Sequence, residues 1–478
     1  MNQIKGRQFI KKITKAFILL VLLSSCTEQN LTVQLTSSSP NSLWTKSELS
    51  ISPMDNADNA IEIDVENEQQ TVEGFGACFN ELGWEAINQL PHEKQELVFE
   101  FLFDKTKGCD FNTYRIPIGA NDYALDWYSH NETPEDFEMK NFSIARDKQR
   151  IIPYINKAKS YNTDFRIWGS PWCPPSWMKH NKHYACNPAP VNDLPEEGKG
   201  QEMETQFIME ADYLNAYSKY LLKFVQAYAN EGIDVYSIHI QNEPNSCQSF
   251  PSCVWNPSDM ALFIGDYLGP HFNQELPDTE IWLGTIERPQ IERVDAILGD
   301  EKASKYIKGV GFQWGGKGAI PQVHKKYPNI GLMQTETECG DGSNDWAAAV
   351  HTYGLMKHYF NNGANTYLYW NMVLNETGKS QWGWKQNSMI SIDSKTKEVT
   401  FNPEFYLMKH FSNHIKPGAR KVKTSNQDVL AFKDRDAIVI IYYNPEERKV
   451  IQKFKLGEKV FQLELNGNSF NTITLPLI

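Results

Sequence analysis

The chain has 478 residues, of which 41% are apolar and 12% aromatic, and its formal net charge at pH 7 is −12. This length allows one large domain with a smaller one attached, and the apolar share is enough for a sizeable core. The acidic balance argues against nucleic-acid binding and against attraction to an anionic lipid surface, so it favours a neutral substrate.

Residues 1–25 are predicted to be an export signal. A basic start is followed by the apolar segment Ala16–Leu23, which is too short to span a bilayer. The segment leads into Leu23-Ser24-Ser25-Cys26, which resembles the lipidation site of bacterial lipoproteins. We therefore expect an exported lipoprotein of the outer membrane, on its periplasmic or cell-surface side, that meets the membrane only through lipid on Cys26. A plain secretory signal is the alternative.

Residues 26–50 are mostly polar and include the stretch TSSSPNS, so we expect a polar tether here. Residues 51–72 contain the alternating run Ile61–Val65, which predicts an N-terminal strand that joins a β-domain elsewhere in the chain.

From residue 73 to about 400, strand-like runs alternate with helical stretches. Eight such runs are EGFGACF, FNTYRIPIG, DFRIWGS, DVYSIHIQNE, EIWLGT, IKGVGFQW, IGLMQTE and NTYLYWNMV. This βα alternation predicts an α/β fold, a (β/α)8 TIM barrel over residues 73–400. A doubly wound sheet is the alternative, and it is disfavoured because no glycine-rich phosphate loop follows the first strand.

After residue 400 the helical periodicity fades. The runs AIVIIYYN, KVIQKFKL and NTITLPL are rich in β-branched residues and are separated by turns. They predict a small antiparallel β-sandwich as a side domain over residues 401–478.

The eight cysteines are scattered, and neither a CxxC pair nor an HExxH motif is present. We therefore expect no metal and no cofactor. Cys247 with Cys253, and Cys173 with Cys186, are close enough in sequence to close small disulfide loops.

In a TIM barrel the active site lies at the carboxyl ends of the strands. Those ends and the loops that follow them carry Arg115, Asp122, Trp172, Trp177, Asn242, Glu243, Gln313, Trp314, Glu336, Glu338, Trp370 and Asn375. The set combines carboxylates, amides, a guanidinium group and indoles, without a metal-binding set or a Ser/His/Asp arrangement. Two facing carboxylates are what glycoside hydrolysis requires.

Glu243 stands at the end of an apolar run. Burying a charge at such a position costs free energy, so a Glu there indicates a functional need for its carboxyl group. Partial burial there would raise its pKa and suit it to act as the acid. Asn242 beside it is placed to bind a sugar hydroxyl. Glu336 and Glu338 point to the same side of an extended chain, and only one of them is expected to be the nucleophile, held ionised by Arg115.

Six of these segments, in this order, resemble glycoside hydrolase family 30, a clan A family whose members include glucosylceramidase and β-1,6-glucanase. The segments are EGFGACFNE, YRIPIGANDY, GSPWCPPSWMKHN, QNEP, MQTE and YWNMVLN. The resemblance runs from about Gly74 to the C-terminus, which is most of the mature chain. It implies a (β/α)8 barrel with a side β-domain and retention of anomeric configuration.

By this resemblance, QNEP identifies Glu243 as the acid/base and MQTE identifies Glu336 as the nucleophile. It also implies substrate-binding positions at Arg115, Asp122, Trp177, Trp370 and Asn375. The chain departs from the family at Gln313-Trp314-Gly315, where His-Trp-Tyr is frequent, and the sequence TETECG also permits an alignment that selects Glu338.

We expect a secreted, lipid-anchored, retaining β-glycosidase that acts on β-linked oligosaccharides or polysaccharides, with β-1,6-glucan as the favoured substrate. Glucosylceramidase, β-xylosidase, β-fucosidase and β-galactanase activities are alternatives on the same fold. A non-catalytic glycan-binding lipoprotein is disfavoured because both catalytic positions hold Glu. A metal-dependent hydrolase is disfavoured because the sequence has no clustered His.

The lipid anchor can be tested directly. The Cys26→Ser variant loses the only thiol at the predicted lipidation site, so it should be extractable without detergent, whereas the native chain should partition into the detergent phase. Phase separation followed by immunoblotting measures this, and unchanged partitioning of the variant would refute lipidation.

Overall fold

The structure is a computed structural model that describes residues 31–477; the predicted export signal and the predicted lipidation site at Cys26 lie outside these residues. The described chain begins with three strands, β1 (Leu31–Ser39), β2 (Ser42–Ile51) and β3 (Ile61–Thr71). β1 and β2 form an antiparallel hairpin in which Leu31 pairs with Ile51.

A closed barrel of eight parallel strands forms the centre of the structure, as predicted. The strands are β4 (Gly74–Cys78), β5 (Thr113–Ile118), β6 (Arg166–Pro171), β7 (Val235–His239), β8 (Glu280–Ile286), β9 (Ile307–Gln313), β10 (Gly331–Glu336) and β11 (Thr366–Asn371). Each pairs in parallel with the next, and β11 closes the barrel against β4.

The helices follow the strands and cover the outside of the barrel. They are α1 (Glu81–Asn88), α2 (His92–Phe103), α3 (Ile151–Lys159), α4 (Ala211–Asn230), α5 (Pro257–Leu262), α6 (Gly269–Glu275), α7 (Ile291–Leu298), α8 (Glu301–Ser304), α9 (Ile320–Lys326), α10 (Trp346–Asn361) and α11 (Pro403–Ser412). In α4, buried residues recur at helical spacing, which gives the apolar face that packs on the barrel. Among residues 31–477, no helix has the length and apolar character needed to cross a bilayer.

Large side chains fill the barrel interior. The His239 ring stacks between Trp168 and Trp282, at centroid distances of 4.0 and 5.2 Å. Gly309 makes room for this layer, because a Cβ atom there would lie 2.3 Å from the Trp282 ring. The barrel is therefore a packed core whose usable surface is its rim.

After β11 the chain forms a short sheet of β12 (Val373–Asn375), β13 (Ile390–Ile392) and β14 (Val399–Phe401). It then forms β15 (Arg420–Thr424), β16 (Val429–Asp434), β17 (Ala437–Asn444), β18 (Val450–Leu456), β19 (Lys459–Leu465) and β20 (Ser469–Pro476). These six strands join β1, β2 and β3 in one nine-stranded sheet, in the order β19-β18-β3-β15-β16-β17-β20-β1-β2. All pairs are antiparallel except β3 with β18. The predicted side domain of β structure is thus present.

The polar tether expected over residues 26–50 is wrong for residues 31–50, which belong to this sheet. β1 lies between β2 and β20, and its residues Leu31, Val33 and Leu35 are buried. The alternation is not evident from the sequence, because β1 buries hydroxyl groups as well as apolar side chains. These hydroxyl groups have hydrogen-bond partners. Ser37 Oγ donates to Asn471 Oδ1 at 2.8 Å, and Ser38 Oγ lies 2.9 Å from His410 Nε2.

Because β1 lies in the core of the side domain, substitutions at its buried positions should lower the stability of the fold. Val33 is fully buried, so Val33→Asp should lower the free energy of unfolding by roughly 3 kcal/mol, because an unpaired charge would enter an apolar cluster. The matched control is Thr32→Asp, at the neighbouring exposed position, which should change stability little. Urea unfolding measures both, and equal stability of the two variants would contradict the strand assignment.

Candidate active site

Two carboxyl groups face each other at the carboxyl-terminal rim of the barrel. Glu336 is the last residue of β10, and Glu243 follows β7. Gln313 Nε2, at the end of β9, lies 3.2 Å from Glu243 Oε1 and 3.2 Å from Glu336 Oε2. A single amide nitrogen therefore bridges the two carboxyl groups, which are only 7% and 4% exposed.

Arg115, on β5, binds one side of this pair. Its Nη1 atom donates to Glu336 Oε2 at 2.9 Å, its Nη2 atom donates to Asn242 Oδ1 at 2.7 Å, and its Nε atom donates to Ser170 Oγ at 3.0 Å. The guanidinium is fully buried, so it needs these partners to offset the loss of water.

Three indole rings surround the same guanidinium. The Cζ atom of Arg115 lies 4.3 Å from the Trp172 ring centroid and 5.1 Å from the ring centroids of Trp168 and Trp370. Cation–π attraction is strongest for a desolvated cation on an indole face, so the rings add to the electrostatic support of Arg115.

The surroundings of the two carboxyl groups differ in the protonation state that they favour. Burial raises the pKa of Glu336 to about 7, and the charge of Arg115 opposes this rise. Trp314 Nε1 donates to Glu336 Oε1 at 3.2 Å, so Glu336 is held by a guanidinium and an indole that can only donate. Burial also raises the pKa of Glu243, whose hydrogen bonds come from neutral amides. The donors around Glu336 favour its ionised form over that of Glu243, and so favour Glu243 as the site of a proton shared by the pair.

The backbone at two of these residues is unusual. Glu243 has φ = 47° and Trp314 has φ = 45°, both in the left-handed region that residues with side chains rarely adopt. Neighbouring strands hold Glu243 in place, since its N–H donates to the Thr285 carbonyl oxygen at 3.1 Å. Such strain is common where a side chain must be aimed into a site.

These groups open into a cleft of about 430 Å³, the volume range of small-molecule sites. Of the predicted residues, Asp122, Trp172, Asn242, Glu243, Trp314 and Glu336 line it. Arg115, Gln313 and Trp370 are also predicted substrate contacts, but they are fully buried and lie behind the lining residues, which corrects that expectation. Arg115 and Gln313 hydrogen-bond to Asn242 and Glu336, and the Trp370 ring centroid lies 5.4 Å from that of Trp172. Burial, with the charges of Glu336 and Glu243, raises the pKa of Asp122.

Two further predicted sugar contacts, Trp177 and Asn375, lie away from the cleft and have other partners, which corrects the expectation for them. Trp177 belongs to a short 3-10 helix, Ser176–Met178, that turns its indole toward Phe137 and Tyr213, and its Nε1 donates to the Asn131 carbonyl oxygen. Asn375 is half-buried, and its side-chain oxygen accepts from the Thr377 hydroxyl at 2.6 Å. Both side chains are occupied by local packing or turn contacts.

Glu338 does not join the carboxyl pair. Its side chain binds Lys317 and lies 3.1 Å from His351 Nε2. Among the described residues, no group of three or more His, Cys, Asp or Glu side chains is arranged to hold a metal ion.

Two residues of the site are not among those predicted from the sequence. Glu287 follows β8 and lines the cleft, and its Oε1 accepts from the Asn245 N–H at 2.9 Å and from the Ser246 hydroxyl at 2.8 Å. Burial, together with the charge of Glu243, raises the pKa of Glu287 to about 7. Glu287 stands directly after the fifth barrel strand, β8, which is a position where active-site residues of such barrels occur. Gln248, which donates to Glu243 Oε2 at 3.0 Å, lies in a loop and carries no such signal.

Comparison with known proteins gives a consistent result. The model described as "Glycosyl hydrolase family 30 TIM-barrel domain" matches residues 72–415. The chain is 27% identical over 419 residues to putative glucosylceramidase 1 of Caenorhabditis elegans, covering 83% of this chain and 76% of that protein. It is 24% identical over 373 residues to endo-1,6-beta-D-glucanase of Neurospora crassa, covering 73% and 72%.

Among solved structures, the endo-beta1,6-glucanase BT3312 superposes with a TM-score of 0.79 at 21% identity. The superposition covers 92% of this chain and 99% of that one. This likeness supports the barrel and side-domain architecture.

The indole of Trp314 offers a direct test of the role of Arg115. Because Trp314 Nε1 donates to Glu336, its N–H resonance should titrate with that carboxyl group. Replacing Arg115 with Gln removes the cation that favours the ionised form, so the apparent pKa should rise by about one unit. The measurement is an NMR titration with isotope-labelled tryptophan, assigned through Trp314→Phe. Arg146→Gln is the control, because Arg146 pairs with Glu81 instead. An unchanged midpoint in Arg115→Gln would contradict this electrostatic role.

Proposed function

The chain belongs to glycosyl hydrolase family 30 and is a glycosidase, and we propose that it hydrolyses β-linked glucans with retention, using Glu243 and Glu336. The observation that carries this proposal is the position of Gln313 Nε2, 3.2 Å from an oxygen of each carboxyl group. It shows that an Arg-bound carboxylate and a neutral-amide-bound carboxyl group lie close together in one small cleft.

In the first step, Glu336 attacks the anomeric carbon while Glu243 gives its proton to the leaving glycosidic oxygen. The bond to the leaving group breaks as the bond to Glu336 forms. Arg115 and Trp314 keep Glu336 ionised and aimed for this attack. Asn242, held by Arg115 and by the Thr285 hydroxyl, presents its amide to the sugar.

In the second step, Glu243, now ionised, takes a proton from water, and the resulting hydroxide attacks the anomeric carbon. Glu336 leaves with the electrons of the glycosyl bond, and the site returns to its starting protonation.

The separation of the carboxyl groups supports retention. Retaining enzymes hold them about 5–5.5 Å apart, whereas inverting enzymes leave about 6.5–9.5 Å for a water molecule. Because a single nitrogen lies 3.2 Å from an oxygen of each group, those oxygens cannot be farther apart than twice that distance. This favours direct attack by Glu336 over attack by an intervening water.

We favour a β-1,6-linked glucan as the substrate. The support is the relationship to the Neurospora endo-1,6-beta-D-glucanase, together with an aromatic rim at the cleft formed by Phe250 and Trp384, whose rings lie 4.7 Å apart. Aromatic faces suit the C–H faces of sugar rings. Glucosylceramide is the second candidate, since the putative glucosylceramidase of Caenorhabditis elegans is the more identical of the two relatives.

We also propose that the chain is exported and held at the outer membrane by lipid on Cys26. The support is the basic start, the short apolar segment and the Leu-Ser-Ser-Cys sequence that follows it. A surface lipoprotein suits the breakdown of an external polysaccharide.

The two catalytic roles can be separated with azide. Glu336→Ala removes the nucleophile, so activity should fall on every substrate, and added azide should yield an α-glycosyl azide. Glu243→Ala should lose about 100-fold or more on substrates with poor leaving groups, yet it should still form the intermediate from an activated aryl glycoside. Azide should then release a β-glycosyl azide. Product configuration is read by NMR.

Glu338→Ala is the matched control for this experiment, because Glu338 lies two positions after Glu336 and binds Lys317 and His351. It should keep most of its activity. An α-azide product from Glu338→Ala, with nearly native activity in Glu336→Ala, would place the nucleophile at Glu338.

The substrate can be decided by measuring kcat/KM on β-1,6-glucan and on glucosylceramide in detergent micelles, with β-xylan, a β-fucoside and β-galactan alongside. We expect β-1,6-glucan to lead by at least about tenfold, because a mismatched substrate leaves polar groups of the cleft unpaired. A higher kcat/KM for glucosylceramide would overturn the choice. Binding of glucan without hydrolysis of any substrate, activated aryl glycosides included, would indicate a glycan-binding protein.

A further inference from the structure

Two long loops meet beside the cleft, one after β6 and one after β7. Their backbones are joined by hydrogen bonds: the N–H groups of Cys186 and Asn187 both donate to the Gln248 carbonyl oxygen at 2.9 Å. The Ser252 N–H donates to the Tyr184 carbonyl oxygen at 3.0 Å. These contacts fix the position of Cys186 against the segment that contains Cys247.

Cys247 Sγ lies against Gly200, since a Cβ atom there would be 3.0 Å from this sulfur, and the Gly200 N–H donates to the Cys186 carbonyl oxygen at 2.8 Å, so the two cysteines are neighbours across the loops. The sequence suggested other pairs, Cys173 with Cys186 and Cys247 with Cys253, and neither is bonded in the structure, where all four are free thiols. The contact between the loops, and not closeness in sequence, sets the neighbours of each sulfur.

A buried cation stands next to this pair. Lys179 is fully buried, and its Nζ atom donates to the carbonyl oxygens of Tyr184, Ala185 and Ser252 at 3.1, 3.1 and 2.8 Å. A hydrogen bond from Cys247 and the charge of Lys179 lower the pKa of Cys186 to about 5. Nearby positive charge is the usual origin of a reactive thiolate.

We propose that Cys186 and Cys247 form a disulfide that fastens the two loops together at the mouth of the cleft. The oxidant is an external disulfide, carried by a small molecule or by a protein. It reaches Cys247 first, because Cys247 is half-buried whereas Cys186 is buried.

The exchange occurs in two balanced steps. Contact with Cys186 raises the pKa of Cys247, so Cys247 passes its proton to the Cys186 thiolate as it attacks one sulfur of the external disulfide, which releases one thiolate and leaves a mixed disulfide. Cys186 then gives this proton to the released thiolate, attacks the Cys247 sulfur and releases the second thiolate. Two protein thiols are oxidised to one disulfide, and the external disulfide is reduced to two thiols.

The bond would act on the site through Gln248. This residue follows Cys247, its carbonyl oxygen accepts the two N–H groups of the facing loop, and its side chain donates to Glu243 Oε2 at 3.0 Å. A disulfide at Cys247 would therefore hold Gln248 as a positioning residue for Glu243. This second part rests on the proposed role of Glu243.

The disulfide itself can be tested without any activity. The full purified chain is equilibrated in glutathione buffers of graded redox potential, alkylated under denaturing conditions, digested and analysed by mass spectrometry. We expect one cross-linked peptide pair joining Cys186 to Cys247, and a melting temperature about 3 °C higher in the oxidised protein. Cys186→Ser and Cys247→Ser should abolish the cross-link.

Cys173→Ser and Cys253→Ser are the matched controls, since both thiols lie near Lys179 and neither belongs to the pair. The cross-link should persist in both. Full alkylation of Cys186 and Cys247 in the most oxidising buffer, or a cross-link from either cysteine to Cys173 or Cys253, would overturn the proposal.

The effect on Glu243 is tested by the pH profile of kcat/KM in the oxidised and reduced protein. The Gln248 hydrogen bond lowers the pKa of Glu243, so a looser Gln248 in the reduced protein should move the alkaline limb to higher pH by about 0.5 unit. The charged groups that face Glu243 are Arg115, Arg288, Asp122, Glu287 and Glu336, and none of them changes between the two states.

Cys247→Ser should show the reduced profile in both buffers. Identical limbs in a protein whose cross-link has been mapped would overturn the link to Glu243. If the chain lacks glycosidase activity altogether, the peptide map still decides the disulfide.

Discussion

The buried ion pair between Arg115 and Glu336 is the interaction on which the site and much of the barrel depend. A fully buried guanidinium is costly unless its charge and its N–H groups are matched. Here the partners come from several strands or the loops that follow them: Glu336 from β10, Ser170 from β6, Asn242 after β7, and the Trp370 ring from β11. Only the closed barrel brings these partners together, so the electrostatic setting of Glu336 depends on the folded barrel as a whole.

The same geometry makes the site a source of instability. Burial raises the pKa of Glu243, Asp122, Glu287 and Glu336, with those of Glu287 and Glu336 near 7. A carboxyl group whose folded pKa lies above its unfolded value contributes stability at low pH. That contribution is lost as the pH rises from the unfolded pKa through the folded one. At neutral pH the cluster therefore weakens the fold, and packing elsewhere must offset it.

The side domain is placed to supply part of that packing. Helix α11 lies between the barrel and the nine-stranded sheet, where His410 contacts the hydroxyl groups of Ser38 on β1 and Thr472 on β20. The N-terminal hairpin thus completes a buried polar network as well as an apolar cluster. Strands from both ends of the described chain meet here, which ties the barrel between them into one cooperative structure.

The sequence by itself determined the barrel, the side domain and the pair of carboxyl groups, because strand periodicity and strand ends are local features that a folded barrel gathers at one rim. The sequence alone did not predict the contacts of side chains that could pack against more than one partner. Residues 31–50 look like a tether in the sequence, but β1 pairs with β20, and its alternate side chains enter the apolar cluster of the side domain. Trp177 stands in the expected loop but turns onto Tyr213. The contact of Gln248 with Glu243, and the meeting of Cys186 with Cys247, depend on loop paths that no local pattern encodes. Only the tertiary structure decides these contacts, since they join residues that are distant in the chain and are selected by the packing of whole loops.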